Sequence, residues 1–84
     1  MNHPALLVFG RQVRTLRRER GLSQERLAEL ASVHVNVIGR TERGVMAPTV
    51  LVILKLAVGL TVTPGELFAP FDPVRLKKLR ITKS

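Results

Sequence analysis

An all-α fold follows from three features of this 84-residue chain. Apolar residues recur at three- and four-residue spacing over residues 5–20, where Leu6, Phe9, Val13 and Leu16 make one stripe. Two shorter segments with the same period, about Ser23–Ala31 and Val35–Arg43, are separated only by Ser32, Val33 and His34. A further stretch, about Val50–Gly59, is apolar nearly all round.

The first helix is half core and half cation, because Arg11, Arg14, Arg18 and Arg20 lie opposite the stripe. Ser23 is suited to cap the second helix, and Leu27, Leu30 and Ala31 fall on its apolar face. The three-residue connection forces a steep crossing with the third helix. Ala28 is small enough to admit that crossing, Val33 can plug the corner, and Ile38 points back at Leu27. Gly44 is placed to terminate the third helix. The outward face then carries Asn36, Arg40 and Arg43, with Val35 and Gly39 beside them. It offers hydrogen-bond donors, methyl groups and little bulk, a combination suited to the floor of a DNA major groove.

Val45–Pro48 connects to the fourth helix, for which Thr49 is the expected cap and Gly59 the expected end. One apolar face would suffice in so small a domain, so a helix apolar on every side needs cover from a second subunit or from the C-terminal tail. Leu51, Val52 and Val58 are the surplus positions and are assigned to a dimer interface. Leu60 and Val62 return to the core. Thr63 caps a short helix from Pro64 to Phe68, with proline in its favoured first position. Leu67 and Phe68 close either the core or the dimer contact and are also assigned to the interface. A first domain thus covers residues 1–69. Residues 70–84 form a basic tail, in which Val74–Ser84 hold five cations and no acid. That composition admits a frayed helix, a disordered arm on DNA or an edge strand.

The pattern G-L-S-Q (21–24), L-A-E-L-A (27–31), Ile38 and T-E-R-G (41–44), followed by Pro48, L-K-L-A (54–57), Leu60, Val62 and E-L-F (66–68), resembles the phage-repressor (Xre/Cro/C1-type) helix-turn-helix transcriptional regulators over residues 6–68. The resemblance implies a five-helix lambda-repressor-like domain whose second and third helices form the DNA-reading pair. It implies base contacts from Val35, Asn36, Arg40 and His34, and phosphate contacts from Gln24 and Arg43; Arg14 and Arg18 on the cationic side of the first helix are added to the phosphate set. Arg40 and Arg43 are both open to a role that only grips phosphate. The resemblance also implies a pair between Arg17 and Glu42, for which a bidentate guanidinium–carboxylate contact gives the physical reason. Four positions depart from the family pattern. Ser32 stands where a turn glycine is usual, His34 replaces a Ser or Thr cap, Thr41 occupies an apolar core position, and Gly39 opens space toward DNA.

Charge points the same way. Fourteen Lys and Arg against six Asp and Glu give a formal charge of +8 and a sequence pI near 11.6, which favours a polyanionic partner. The absence of Cys excludes disulfides and thiolate chemistry and suits a reducing interior. Met1–Gly10 is not read as a signal peptide, and the apolar run at residues 50–60 falls well short of the roughly 20 residues that cross a bilayer. An enzyme is disfavoured: His3 and His34 are the only near-neutral bases, and no cofactor site, small-molecule substrate site or metal-ligand spacing is evident.

The expected function is therefore a cytoplasmic, homodimeric, sequence-specific regulator that binds double-stranded DNA at a near-palindromic operator. The short length and H-V-N-V-I-G (34–39) resemble restriction–modification controller proteins. A Cro-type repressor, a DNA-binding antitoxin, or an adaptor using the fold for protein contacts are the alternatives.

Overall fold

A computed structural model describes residues 2–82. Among these residues it contains six helices and no strand: α1 Pro4–Glu19, α2 Gln24–Ala31, α3 Val35–Glu42, α4 Val50–Leu60, α5 Pro64–Leu67 and α6 Pro73–Leu79. Each begins at a side chain that accepts a free backbone N–H, so the boundaries follow from local chemistry. Ser23 and Thr49 cap α2 and α4, Thr63 and Glu66 make a reciprocal capping box on α5, and Asp72 Oδ1 accepts from the Arg75 N–H at 2.8 Å on α6. Histidine does the same work twice. His3 Nδ1 accepts from Ala5 N on α1 and His34 Nδ1 from Asn36 N on α3, both at 3.0 Å.

Phe9 and Val13 of α1, Leu27, Ala28 and Ala31 of α2, Ile38 of α3, Leu56, Ala57 and Leu60 of α4, and Leu67 of α5 form one core. Full burial of a side chain such as Leu27 or Ile38 is worth about 1.5–3 kcal/mol. Val33 packs against this core from the corner between α2 and α3.

Two glycines permit helix contacts closer than a Cβ would allow. At Gly10 a Cβ would lie 2.3 Å from the Thr41 carbonyl oxygen, so α1 rests its backbone on the C-terminal turn of α3. Gly59 does not terminate α4, which continues to Leu60. A Cβ there would sit 3.0 Å from both Ala31 Cβ and Leu27 Cδ1, so its role is the approach of α4 to α2. The left-handed residue ending α4 is instead Thr61 (φ 57°).

Other expectations are also corrected. Leu30 is 39% exposed and lies off the buried face of α2. Leu67 is fully buried beneath α1 and α4, which removes it from any subunit interface. Phe68 is 43% exposed, yet its ring lies 5.5 Å from Phe9 and 6.2 Å from Phe71, making an intramolecular aromatic cluster. Phe71 packs on the core, so the packed unit continues past residue 69. The tail beyond it holds a capped helix, α6, in place of a frayed segment, arm or strand through residue 79. Ser84 and Lys83 lie outside the described residues.

Candidate nucleic-acid interface

The outward face of α3 is built on a buried polar clamp. Arg17 of α1 donates through Nε to Glu42 Oε2 at 2.7 Å and through Nη2 to Oε1 at 3.1 Å, while its Nη1 donates to the Leu22 carbonyl at 2.8 Å. Gln24, on the first turn of α2, donates its side-chain amide to Glu42 Oε1 at 3.0 Å. One carboxylate thus joins α1, α2 and α3. Both members of the ion pair are buried, and Arg17 has every strong acceptor it needs within reach. The hydrogen bond with Glu42 is the main cause that raises the Arg17 pKa above its ordinary value, against the lowering effect of desolvation. A raised folded-state pKa gives stability that is fully present below the unfolded value and lost only as pH rises through the folded one. For a guanidinium that window lies at extreme alkali, so Arg17 keeps its charge throughout ordinary buffers.

With α3 fixed in this way, Asn36, Arg40 and Arg43 are exposed and share one side of the helix. His34 is exposed at its N-terminus, but its Nδ1 lone pair is committed to the Asn36 N–H, which leaves Nε2 as its free ring nitrogen. Val35 is half-buried and packs on the core, so only part of its side chain remains on the outward face. Gly39 is buried rather than open toward solvent. A Cβ there would lie 3.1 Å from Arg43 Nη1 and 3.8 Å from Gln24 Oε1, so the glycine makes room for these two side chains to cross the helix. Gln24 is half-buried and spends one amide proton on Glu42, which leaves the second available at the edge of the face. Arg14 and Arg18 are exposed one turn apart on α1, and no hydrogen bond or ion pair joins them to the face of α3.

The turn before α3 carries its own signature. Ser32 adopts φ 56°, ψ 47° at the C-terminus of α2, and the Val33 N–H returns to the Ala28 carbonyl at 3.0 Å. At the other end Gly44 has φ +72°, and a Cβ would lie 2.7 Å from Leu7 Cα, so both conformation and space require glycine after α3. Gly10 and the Leu7–Gly44 approach, which set the tilt of α3 against α1, carry no signal in the spacing of apolar residues. The only hint is a glycine in the middle of an otherwise strong helix. Thr41 is buried with its Oγ1 lacking a hydrogen-bond partner.

Comparison with known proteins decides the family. The profile described as a helix-turn-helix domain matches residues 8–71, which spans α1 to the aromatic cluster after α5. The chain belongs to the helix-turn-helix transcriptional regulators of the phage-repressor type. This helix-turn-helix regulator is 32% identical over 63 residues to the uncharacterized HTH-type transcriptional regulator YazB of Bacillus subtilis (strain 168), covering 75% of the present chain and 91% of that relative. It is 38% identical over 58 residues to the HTH-type transcriptional regulator SutR of Escherichia coli (strain K12), covering 69% of the chain and 33% of SutR. Among solved structures, the restriction-modification controller protein C.AhdI from Aeromonas hydrophila superposes with a TM-score of 0.76 at 43% identity. That match covers 77% of this chain and 98% of C.AhdI. An HTH_3 family transcriptional regulator from Vibrio cholerae gives the same TM-score at 34% identity, over 87% of this chain and 40% of the other. The helix-turn-helix regulator is accordingly a DNA-binding regulator of transcription, and the relatives it matches are regulators rather than enzymes. No helix of the described residues is long and apolar enough to cross a membrane, and no group of three or more His, Cys, Asp or Glu gathers among them.

Proposed function

We infer that the protein acts as a homodimer on a near-palindromic operator, with α3 in the major groove. The observation that carries this reading is the exposed Asn36–Arg40–Arg43 face standing on a buried Arg17–Glu42–Gln24 clamp, since base readout needs donors held in one orientation. Asn36 suits adenine, Arg40 suits guanine O6 and N7, the exposed part of Val35 suits a thymine methyl, and the Nε2 of His34 suits a base or a phosphate. Each bidentate contact is worth about 1–3 kcal/mol of discrimination. Arg43, the remaining amide proton of Gln24, and Arg14 and Arg18 serve the phosphates, which position the protein without reading sequence.

Dimerisation is supported by α4. Leu51 is 61% and Val58 74% exposed, and Leu54 lies between them on the same side, whereas Val52 is half-buried and packs on the monomer's own core. A contiguous apolar stripe of this kind on a small chain is the mark of an interaction surface. Two subunits joined there would offer their α3 helices to successive major grooves, about 34 Å apart. The same reading places the protein in the cytoplasm, where the operator is reached.

Within the family, the role of a restriction–modification controller is favoured by one observation, the 43% identity to C.AhdI over nearly all of that protein. An antitoxin or an adaptor has no comparable support. Selection of bound duplexes from a random pool tests the whole reading. A recovered consensus with two-fold symmetry, altered at single positions by Asn36→Ala and Arg40→Ala, is expected; a folded protein that recovers no preferred site would refute it.

A further inference from the structure

The helix α6 is left over by the function so far described. The family profile stops at residue 71, so α6 is an addition to the matched domain rather than part of it. It has no buried residue, and at seven residues it is too short to be stable alone. Docking comes from a few apolar side chains: Leu76 lines a shallow apolar groove with Phe71, Phe68, Ala47 and Pro48. Ala47 and Pro48 belong to the connection between α3 and α4, and Ala5, Leu6 and Phe9 of α1 line the same groove, so α6 docks against α1 and that connection.

What α6 displays there is charge. Arg75, Lys77, Lys78 and Arg80 are all exposed, and among the described residues none of them has a carboxylate within ion-pair distance. The six acids of the chain lie elsewhere or are engaged. Glu42 is in the clamp, Glu29 pairs with Arg26, Glu66 and Asp72 cap helices, and Glu19 and Glu25 are on α1 and α2. Arg75 also lines a surface depression together with Arg11 of α1, so the cations of α6 run on into the arginine side of the first helix. On a chain with formal charge +8, three unpaired cations on one short helix and a fourth at its C-cap repel one another and their neighbours, a cost that a polyanion relieves.

We propose that α6 is a second phosphate-gripping element, which adds sequence-independent contacts to the DNA backbone beside the helix-turn-helix. The inference rests on the DNA-binding reading above and deepens it. Its contacts raise affinity and salt sensitivity without altering which bases are preferred.

The test is a salt titration of binding to mixed-sequence duplex DNA, comparing the full chain with R75Q/K77Q/K78Q/R80Q. These side chains are exposed, and glutamine is as good a helix former as lysine or arginine, so the fold is retained; circular dichroism verifies it. The slope of log K against log salt is expected to become shallower by about 0.9 for every phosphate no longer neutralised, roughly 2–4 in all. The milder K77Q/K78Q variant should show about half of that change, and the consensus recovered from a random pool should be the same for all three proteins. An unchanged slope in a folded variant overturns the role of α6 while leaving the helix-turn-helix reading intact. Failure of the wild-type protein to bind duplex DNA overturns both.

Discussion

Glu42 accepts three hydrogen bonds from two other helices, and its removal strands a buried guanidinium. Breaking a buried pair from one side costs about 3–5 kcal/mol. Glu42→Ala should therefore lower the melting temperature far more than Arg40→Ala, whose side chain is exposed and makes no hydrogen bond or ion pair among the described residues. Arg40→Ala should instead change base preference with the melting curve nearly intact. Equal melting temperatures for the two variants would contradict the assignment of Glu42 to structure and Arg40 to readout. Thr41 offers a test of opposite sign. Its buried hydroxyl has no partner, so Thr41→Val, which keeps the shape and removes the unsatisfied group, should stabilise the fold by about 1 kcal/mol in denaturant unfolding. A destabilised Thr41→Val protein would mean that the hydroxyl has a partner in solution.

At the scale of helices and turns, the αL serine between α2 and α3 is the plainest strain in the reading head. Glycine takes φ 56° without a Cβ penalty, so Ser32→Gly should raise stability by about 1 kcal/mol, seen as a rise of about 4–8 °C in melting temperature. An unchanged or lower melting point would show that the serine is not strained there. The corner itself is legible from residue spacing, because Ala28, Val33 and Ile38 are dictated by a three-residue connection. The cap of α3 is legible only by kind, since an imidazole accepting at Nδ1 substitutes for the hydroxyl that usually sits there. Gly10 and Gly59 escape such a reading because what they admit is another helix, and nothing in a local window records tertiary proximity. Leu67 is misassigned from sequence for a related reason. An apolar side chain announces that it will be covered, not which surface covers it. The apolar positions of α6, Val74, Leu76 and Leu79, are too few and too exposed to set a clear period among its cations.

For the molecule as a whole, the surface divides into a cationic part and an apolar part. The apolar part is the side of α4 bearing Leu51, Leu54 and Val58, and it does not contribute to the monomer's core. A charge placed there should separate subunits without unfolding them. Leu51→Asp with Val58→Asp is expected to shift sedimentation from dimer to monomer and to weaken binding to a symmetric site by at least tenfold, while binding to a half-site is spared. A wild-type chain that sediments as a monomer at high concentration would remove the interface from α4. The melting temperature of the wild type should also rise with protein concentration, because association stabilises by mass action.

The exposed side of α3 contributes nothing to the ion pair, the core or the two glycine approaches that fix its tilt. Exchanging Asn36 and Arg40 for other side chains should therefore leave the melting temperature nearly unchanged, and, if the proposed readout holds, should shift the consensus recovered from a random pool at two or three positions. On the proposed reading, support and vocabulary are written on opposite sides of the same two turns of helix, so either can drift while the other is preserved.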